Sequence, residues 1–179
     1  MLTRRSMIGL SGVALLSACG GGGGDSLLGY APARQPRIMR YDGPPITQLQ
    51  IFKAKRKLYL ISGTTVIKTY DISLGGNPIG PKQFEGDGKT PEGAYRIDRR
   101  NWNSAYHLSL GISYPDTDDV ARADAAGRKP GGDIFIHGRE GKNKGLGRDW
   151  TAGCIAVSDD EIEEIFAMVQ DGTVIFLFP

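Results

Sequence analysis

Residues 133–157, DIFIHGREGKNKGLGRDWTAGCIAV, place His137 and Cys154 at the two ends of one long loop, each bounded by a strand-like run. Asp133-Ile134-Phe135-Ile136 is apolar and β-rich and stops at His137-Gly138, and Cys154-Ile155-Ala156-Val157 begins at the cysteine. A fold of this chain must therefore hold a thiol and an imidazole on strand ends beside one loop. A cysteine is a strong nucleophile only as thiolate, and a neighbouring imidazole is the commonest protein device for taking that proton near neutral pH. Gly153 lets the backbone turn sharply before the cysteine, so that consecutive N–H groups can face a developing oxyanion. Gly138 leaves one side of the imidazole uncrowded. The plainer alternative, a structural cysteine near a surface histidine, stays open on these residues alone, because free Cys is among the most buried residue types.

The pattern IHG, a loop, then [S/T]-x-G-C-[I/L]-x-[V/M] closely resembles the catalytic motif of the L,D-transpeptidase family, the YkuD-like domain. His137, Thr151, Gly153 and Cys154 fall on its signature positions, and the 17-residue step from His to Cys fits. The resemblance covers roughly residues 46–179. It implies a mostly β, YkuD-like β-sandwich with one main α-helix after the catalytic cysteine, acting on peptidoglycan stem peptides in cell-wall biogenesis and cell shape. In that scheme His137 activates Cys154, the N–H groups of Gly153 and Cys154 hold the oxyanion, and the Gly138 carbonyl orients the imidazole. Arg139, Arg148, Trp150, Thr151 and His107 are then substrate-binding candidates, since arginine forks suit carboxylates and the indole can stack on the stem. No cofactor and no metal are implied. A metal hydrolase built on His107, His137 and Cys154 finds no HExxH or CxxC spacing to support it.

The chain departs from the family where many members carry His or Lys before the Gly-Cys and Arg or Asn two positions after it, because Ala152 and Ala156 stand there. Small residues at those places resemble a subset with hydrolytic members, so an L,D-carboxypeptidase or endopeptidase is the alternative to crosslink formation. A non-catalytic wall-binding lipoprotein is the second.

The N-terminal stretch reads as delivery. Arg4-Arg5, an apolar run from Ile8 to Ala18, and Ser17-Ala18-Cys19 form a signal peptide, shorter than the about 20 apolar residues of a permanent span. Leu16-Ser17-Ala18-Cys19 looks like a lipobox with Cys19 as the lipidated residue, and Thr3-Arg4-Arg5 resembles a twin-arginine signal. Five glycines at 20–24 and a Pro- and Arg-rich run at 31–45 read as a flexible tether, giving a signal at 1–19, a tether at 20–45 and a catalytic domain at 46–179. The expectation is a monomeric periplasmic protein held to the outer membrane through its N-terminal lipid, with an envelope lipoprotein as a further acceptor or substrate. Cys154 is then the remaining thiol in an oxidising compartment. The formal net charge of +2 is neutral on nucleic acid, and no such partner is expected.

In the domain, 48–53, 57–61 and 66–74 alternate or cluster apolar residues and predict a three-stranded antiparallel meander. The basic cluster Lys53-Lys55-Arg56-Lys57 reads as a solvated face. Gly86 to Gly93 contains GKT, but Gln83 stands where a phosphate loop needs glycine, and Pro91 and Gly93 oppose the required helix. The same segment resembles the family's G-x-x-x-T-P-x-G run into a strand. Residues 101–110 read as one strand carrying His107. Residues 116–132 read either as a flap or as a surface excursion with a short helix. Ser158 or Asp159 caps a helix whose apolar face is Ile162, Ile165, Phe166 and Val169, and residues 173–178 close the domain as a buried strand.

Overall fold

The computed structural model describes residues 34–139 and 148–179, so the signal peptide, Cys19 and the glycine run lie outside the described residues. β1 (Gln48–Phe52), β2 (Lys57–Ser62) and β3 (Thr65–Asp71) form the antiparallel meander that their alternation predicts. β1 buries every second residue, and β2 does so up to the register shift at Leu60-Ile61, where both are buried, the pattern of strands that put one face on a core. β8 (Val174–Phe178) lies parallel to β1 on its other side, and β4 (Gly93–Ser104) pairs antiparallel with β8.

β4 joins the two halves of one eight-stranded sheet. Its first half pairs with β8 and its second half with β5 (His107–Ile112), with register shifts between Ile97 and Arg99 and between Asn101 and Ser104. β6 (Phe135–His137) and the two-residue β7 (Ile155–Ala156) complete the order β3-β2-β1-β8-β4-β5-β6-β7. The ends of this ladder are bridged, because Ser73, beyond β3, pairs with Ala156, and Gly75 pairs with Thr151. The sheet therefore folds round a single apolar cluster that includes Leu49, Leu60, Leu74, Ile97, Leu110, Ile136, Ile155 and Ile175. Burial of each such side chain stabilises by about 1.5–3 kcal/mol.

The described residues hold two helices. α1 (Thr117–Ala125) is capped by Asp116 in a capping box with Asp119, and α2 (Asp159–Met168) by Ser158 in a box with Glu161. α2 buries Ile162, Ile165, Phe166 and Met168 and packs on β5 and β6. The fold is the expected mostly β architecture, with α1 as a second regular helix.

Three local expectations are corrected, and one open alternative is decided. Residues 101–110 form a hairpin instead of one strand, because the chain turns at Ala105-Tyr106 and His107 takes a positive φ of 80°. Residues 34–45, assigned by composition to the tether, include Arg34 and Arg37, which form ion pairs with Asp160 and Glu163 of α2. Specific charge pairing thus orders a stretch whose apolar content is too low to predict order. Of the two readings of residues 116–132, the short helix is the one observed, as α1, where the Tyr95 hydroxyl donates to buried Asp119, and no residue of the stretch lines the clefts described below. Lys53 is buried, its ammonium donating to the carbonyls of Gly80 and Thr90 and to Glu92, which satisfies its three donors. Arg56 likewise pairs with Asp149 at 2.6 Å.

Candidate active site

Strand register brings the reactive pair together. Asn101 pairs with Ser109, Ser109 with His137, and His137 with Ala156, so one row crosses β4, β5, β6 and β7. Side chains two apart on a strand share a face, which places Cys154, two residues before Ala156, on the face that carries His137 and Phe135. Asn101, Ser109, His137 and Cys154 accordingly line one cleft of about 230 Å³ with Ser104, Tyr106, Asp133 and Phe135. A second cleft, of about 410 Å³, is lined by Trp150, Thr151 and Ala152 and shares Tyr106, His137 and Cys154 with the first. The thiol and the imidazole stand where two grooves meet.

The imidazole is held on three sides. Its Nδ1–H donates to the Gly138 carbonyl at 2.6 Å, which leaves Nε2 as the basic nitrogen. Tyr106 stacks on it at 4.6 Å between centroids, and Trp150 meets it edge-on at 5.8 Å. Burial lowers the His137 pKa, the Gly138 carbonyl works against that, and Arg139 adds to it. The ring is neutral and able to accept a proton.

Cys154 is half-buried, and its Sγ–H donates to the Asp133 carbonyl at 3.4 Å. Burial pushes its pKa up, against the pull of the Phe135 N–H, while the Asp133 charge raises it further. The resting pair is therefore neutral thiol and neutral imidazole, unlike a preformed ion pair.

The turn before the cysteine is built from its own residues. The Thr151 hydroxyl donates to the Cys154 carbonyl at 2.7 Å and accepts from the Gly153 N–H at 3.1 Å. Gly153 has φ 135°, and a Cβ there would lie 2.6 Å from the Lys89 carbonyl oxygen. The Gly86–Gly93 run thus buttresses the cysteine turn, with the Thr90 hydroxyl accepting from the Gly75 N–H. The Gly153 N–H, expected from the sequence to face an oxyanion, is thus taken by the Thr151 hydroxyl.

Other predicted residues fall out differently. Arg139 reaches the site's edge, its guanidinium donating to Ser73 Oγ at 2.9 Å and lying 5.7 Å from the Trp150 ring, while its N–H donates to Asp159. Arg148 is exposed and lines neither cleft. Gly138 sits so tightly against Asp159 and the Tyr106 carbonyl that a Cβ would meet them at 2.5 and 2.9 Å. His107, expected in the groove, is corrected: it is buried away from both clefts, with Nε2 2.8 Å from Glu163. Among the described residues, no three His, Cys, Asp or Glu side chains gather as a metal site requires. Sequence reasoning missed Tyr106, Asn101, Ser109 and Asp133. A hairpin reading of 101–112 would have found the first three.

A neutral imidazole at the end of β6 and a thiol just before the parallel β7 thus stand at the junction of two clefts on a mixed sheet. The sequence profile of YkuD, the L,D-transpeptidase catalytic domain, matches residues 47–177, and the chain belongs to that family. It is 32% identical over 161 residues to the Escherichia coli (strain K12) protein named "Putative L,D-transpeptidase YafK", covering 84% of this chain and 58% of that one. The chain thus spans under two thirds of this curated relative. Among solved structures, the helical cell shape determining protein Pgp2 from Campylobacter jejuni aligns with a TM-score of 0.58 at 25% identity, over 80% of this chain and 51% of that one. Bdellovibrio bacteriovorus Bd1075 aligns with a TM-score of 0.52 at 23% identity, over 83% and 53%, a likeness of fold.

Proposed function

We propose that this chain is an L,D-transpeptidase acting on peptidoglycan stem peptides through a thioester on Cys154. The observation that carries the reading is the neutral His137, fixed by Gly138 at Nδ1, sharing both clefts with the Cys154 thiol. His137 Nε2 takes the thiol proton as Sγ attacks the carbonyl of the third, diamino acid residue of the stem. The tetrahedral oxyanion forms beside the Cys154 N–H. Loss of such a donor typically costs about 10²–10³ in rate. The imidazolium returns its proton to the nitrogen of the fourth residue, which leaves as an amine, and the thioester remains. An acceptor amine then attacks, gives its proton to His137, and releases the crosslinked product and free thiol.

Ala152 and Ala156 favour a second reading, hydrolysis. The larger cleft ends on the exposed, uncharged Ala152, so no charged side chain at that position orients an acceptor. Water then takes the amine's place and the product is a tripeptide. The cell-shape function in the name of the aligned Campylobacter protein supports a role in wall remodelling for this chain too. Export to the periplasm, lipid attachment at Cys19 and anchoring at the outer membrane complete the reading, supported by the N-terminal sequence.

Incubation of the chain with disaccharide tetrapeptide, followed by mass spectrometry beside Cys154→Ala, tests it. A cysteine-dependent dimer lacking one terminal residue is the expected product. Cysteine-dependent tripeptide without dimer establishes the hydrolase reading, and no difference from Cys154→Ala contradicts both.

A further inference from the structure

We propose that the Asp133 carboxylate is the subsite for the side-chain ammonium of the donor's diamino acid, so that the smaller cleft selects donors whose side chain carries a free amine. The inference rests on the stem-peptide reading above and adds the group that recognises the substrate's charge.

Among the described residues lining that cleft, Asp133 alone has a side chain that is charged at neutral pH, given the neutral thiol and imidazole. Its backbone carbonyl receives the Cys154 thiol hydrogen, so the carboxylate stands on the residue that touches the nucleophile. The side chain is 91% exposed, with one long ion contact of 3.3 Å to Arg99. That contact does not neutralise it. Arg99 already gives two bonds of 2.9 Å to Asp98 and lies over the Phe135 ring at 4.5 Å, so two carboxylates share one guanidinium. Lys82 is held by Asp87 at 2.9 Å. The described lining of the cleft itself carries one negative side chain and no positive one, which suits a cation.

Asp133 has φ 53°, a left-handed conformation that glycine adopts without strain, and Gly131 and Gly132 directly precede it. Asn101 and Ser104 bring further oxygens to the same cleft for an ammonium's remaining hydrogens. The larger cleft has no charged residue among its described lining, which leaves it to the uncharged parts of the substrate.

An ammonium–carboxylate pair is weak when fully hydrated and stronger once a ligand covers it, so a preference of about tenfold is expected. The test gives the full chain two tetrapeptide donors, one with the side-chain amine free and one with it acetylated, and compares kcat/KM for release of the fourth residue. The wild-type chain is expected to prefer the free amine about tenfold. Asp133→Asn and Asp133→Gly bring the ratio close to one, and Asp133→Glu retains part of it. The glycine variant relieves the positive φ, so a fold defect does not stand in for loss of the charge. A ratio that persists in both variants, or no preference in the wild type, overturns the proposal. Release from neither donor by the wild-type chain overturns the stem-peptide reading itself, and this subsite with it.

Discussion

The Tyr106 ring lies over the His137 imidazole, 4.6 Å between centroids and 29° from parallel, so the turn between β4 and β5 sets the plane of the candidate base. An aromatic pair of this kind contributes about 0.5–1.5 kcal/mol beyond its burial. Tyr106→Leu should therefore lower kcat/KM up to about tenfold, whereas Tyr106→Phe keeps the ring and most of the rate. Steady-state kinetics on both variants, with thermal melts to confirm folding, checks this.

Gly153→Ala should be far more severe. The φ of 135° is strained for any residue with a Cβ, and the added methyl would press on the Lys89 carbonyl that buttresses the turn. Loss of activity by about 10² or more is expected, with a lower melting temperature, because turn and buttress move together. A Gly153→Ala chain with near wild-type kcat/KM would show that the turn has room to adjust.

Burial shifts Cys154 up from its ordinary 9.0 and His137 down from 6.5, and both shifts favour the neutral forms. Thiolate in the free protein therefore appears only as pH rises beyond the ordinary cysteine range. Alkylation by iodoacetamide should keep accelerating roughly tenfold per pH unit through pH 8, since the thiolate fraction grows that fast below the pKa. A plateau near neutral pH would instead reveal a thiolate–imidazolium pair.

Glu163 is fully buried between His107, Arg34 and Arg37. Burial alone would raise its pKa, but hydrogen bonds from the Arg37 backbone and guanidinium and from His107 hold it down to about 2. A depressed carboxylate stabilises the fold above its unfolded value, near 4.5, and that contribution disappears as pH falls toward 2. Glu163→Gln should destabilise the chain by roughly 3 kcal/mol at neutral pH, because it breaks a buried ion cluster. The difference from wild type should shrink between pH 4.5 and 2 in urea melts.

The motif residues were legible because their chemistry depends on types at fixed spacing, His137-Gly138 and Thr151 to Cys154. The meander and the second helix were legible because alternation and a Ser-x-x-Glu cap are local signals. What escaped depends on pairing at a distance. Asn101 and Ser109 enter the cleft through strand register, and Tyr106 through a tight turn hidden in what reads as one strand. His107 looked like a groove residue because nothing local announces Glu163, 56 positions later. Lys53 and Arg34 misled for a related reason, since composition counts charges without their partners.

The proposed chemistry turns on a thioester on Cys154 made from the third residue of the stem. Intact-protein mass spectrometry after brief mixing with tetrapeptide and acid quench measures it most directly. The expected product is an adduct equal to the donor minus its fourth residue, removed by hydroxylamine, located on Cys154 and missing in Cys154→Ala. Turnover of the peptide with no adduct at any mixing time, or with an adduct that survives in Cys154→Ala, would contradict it.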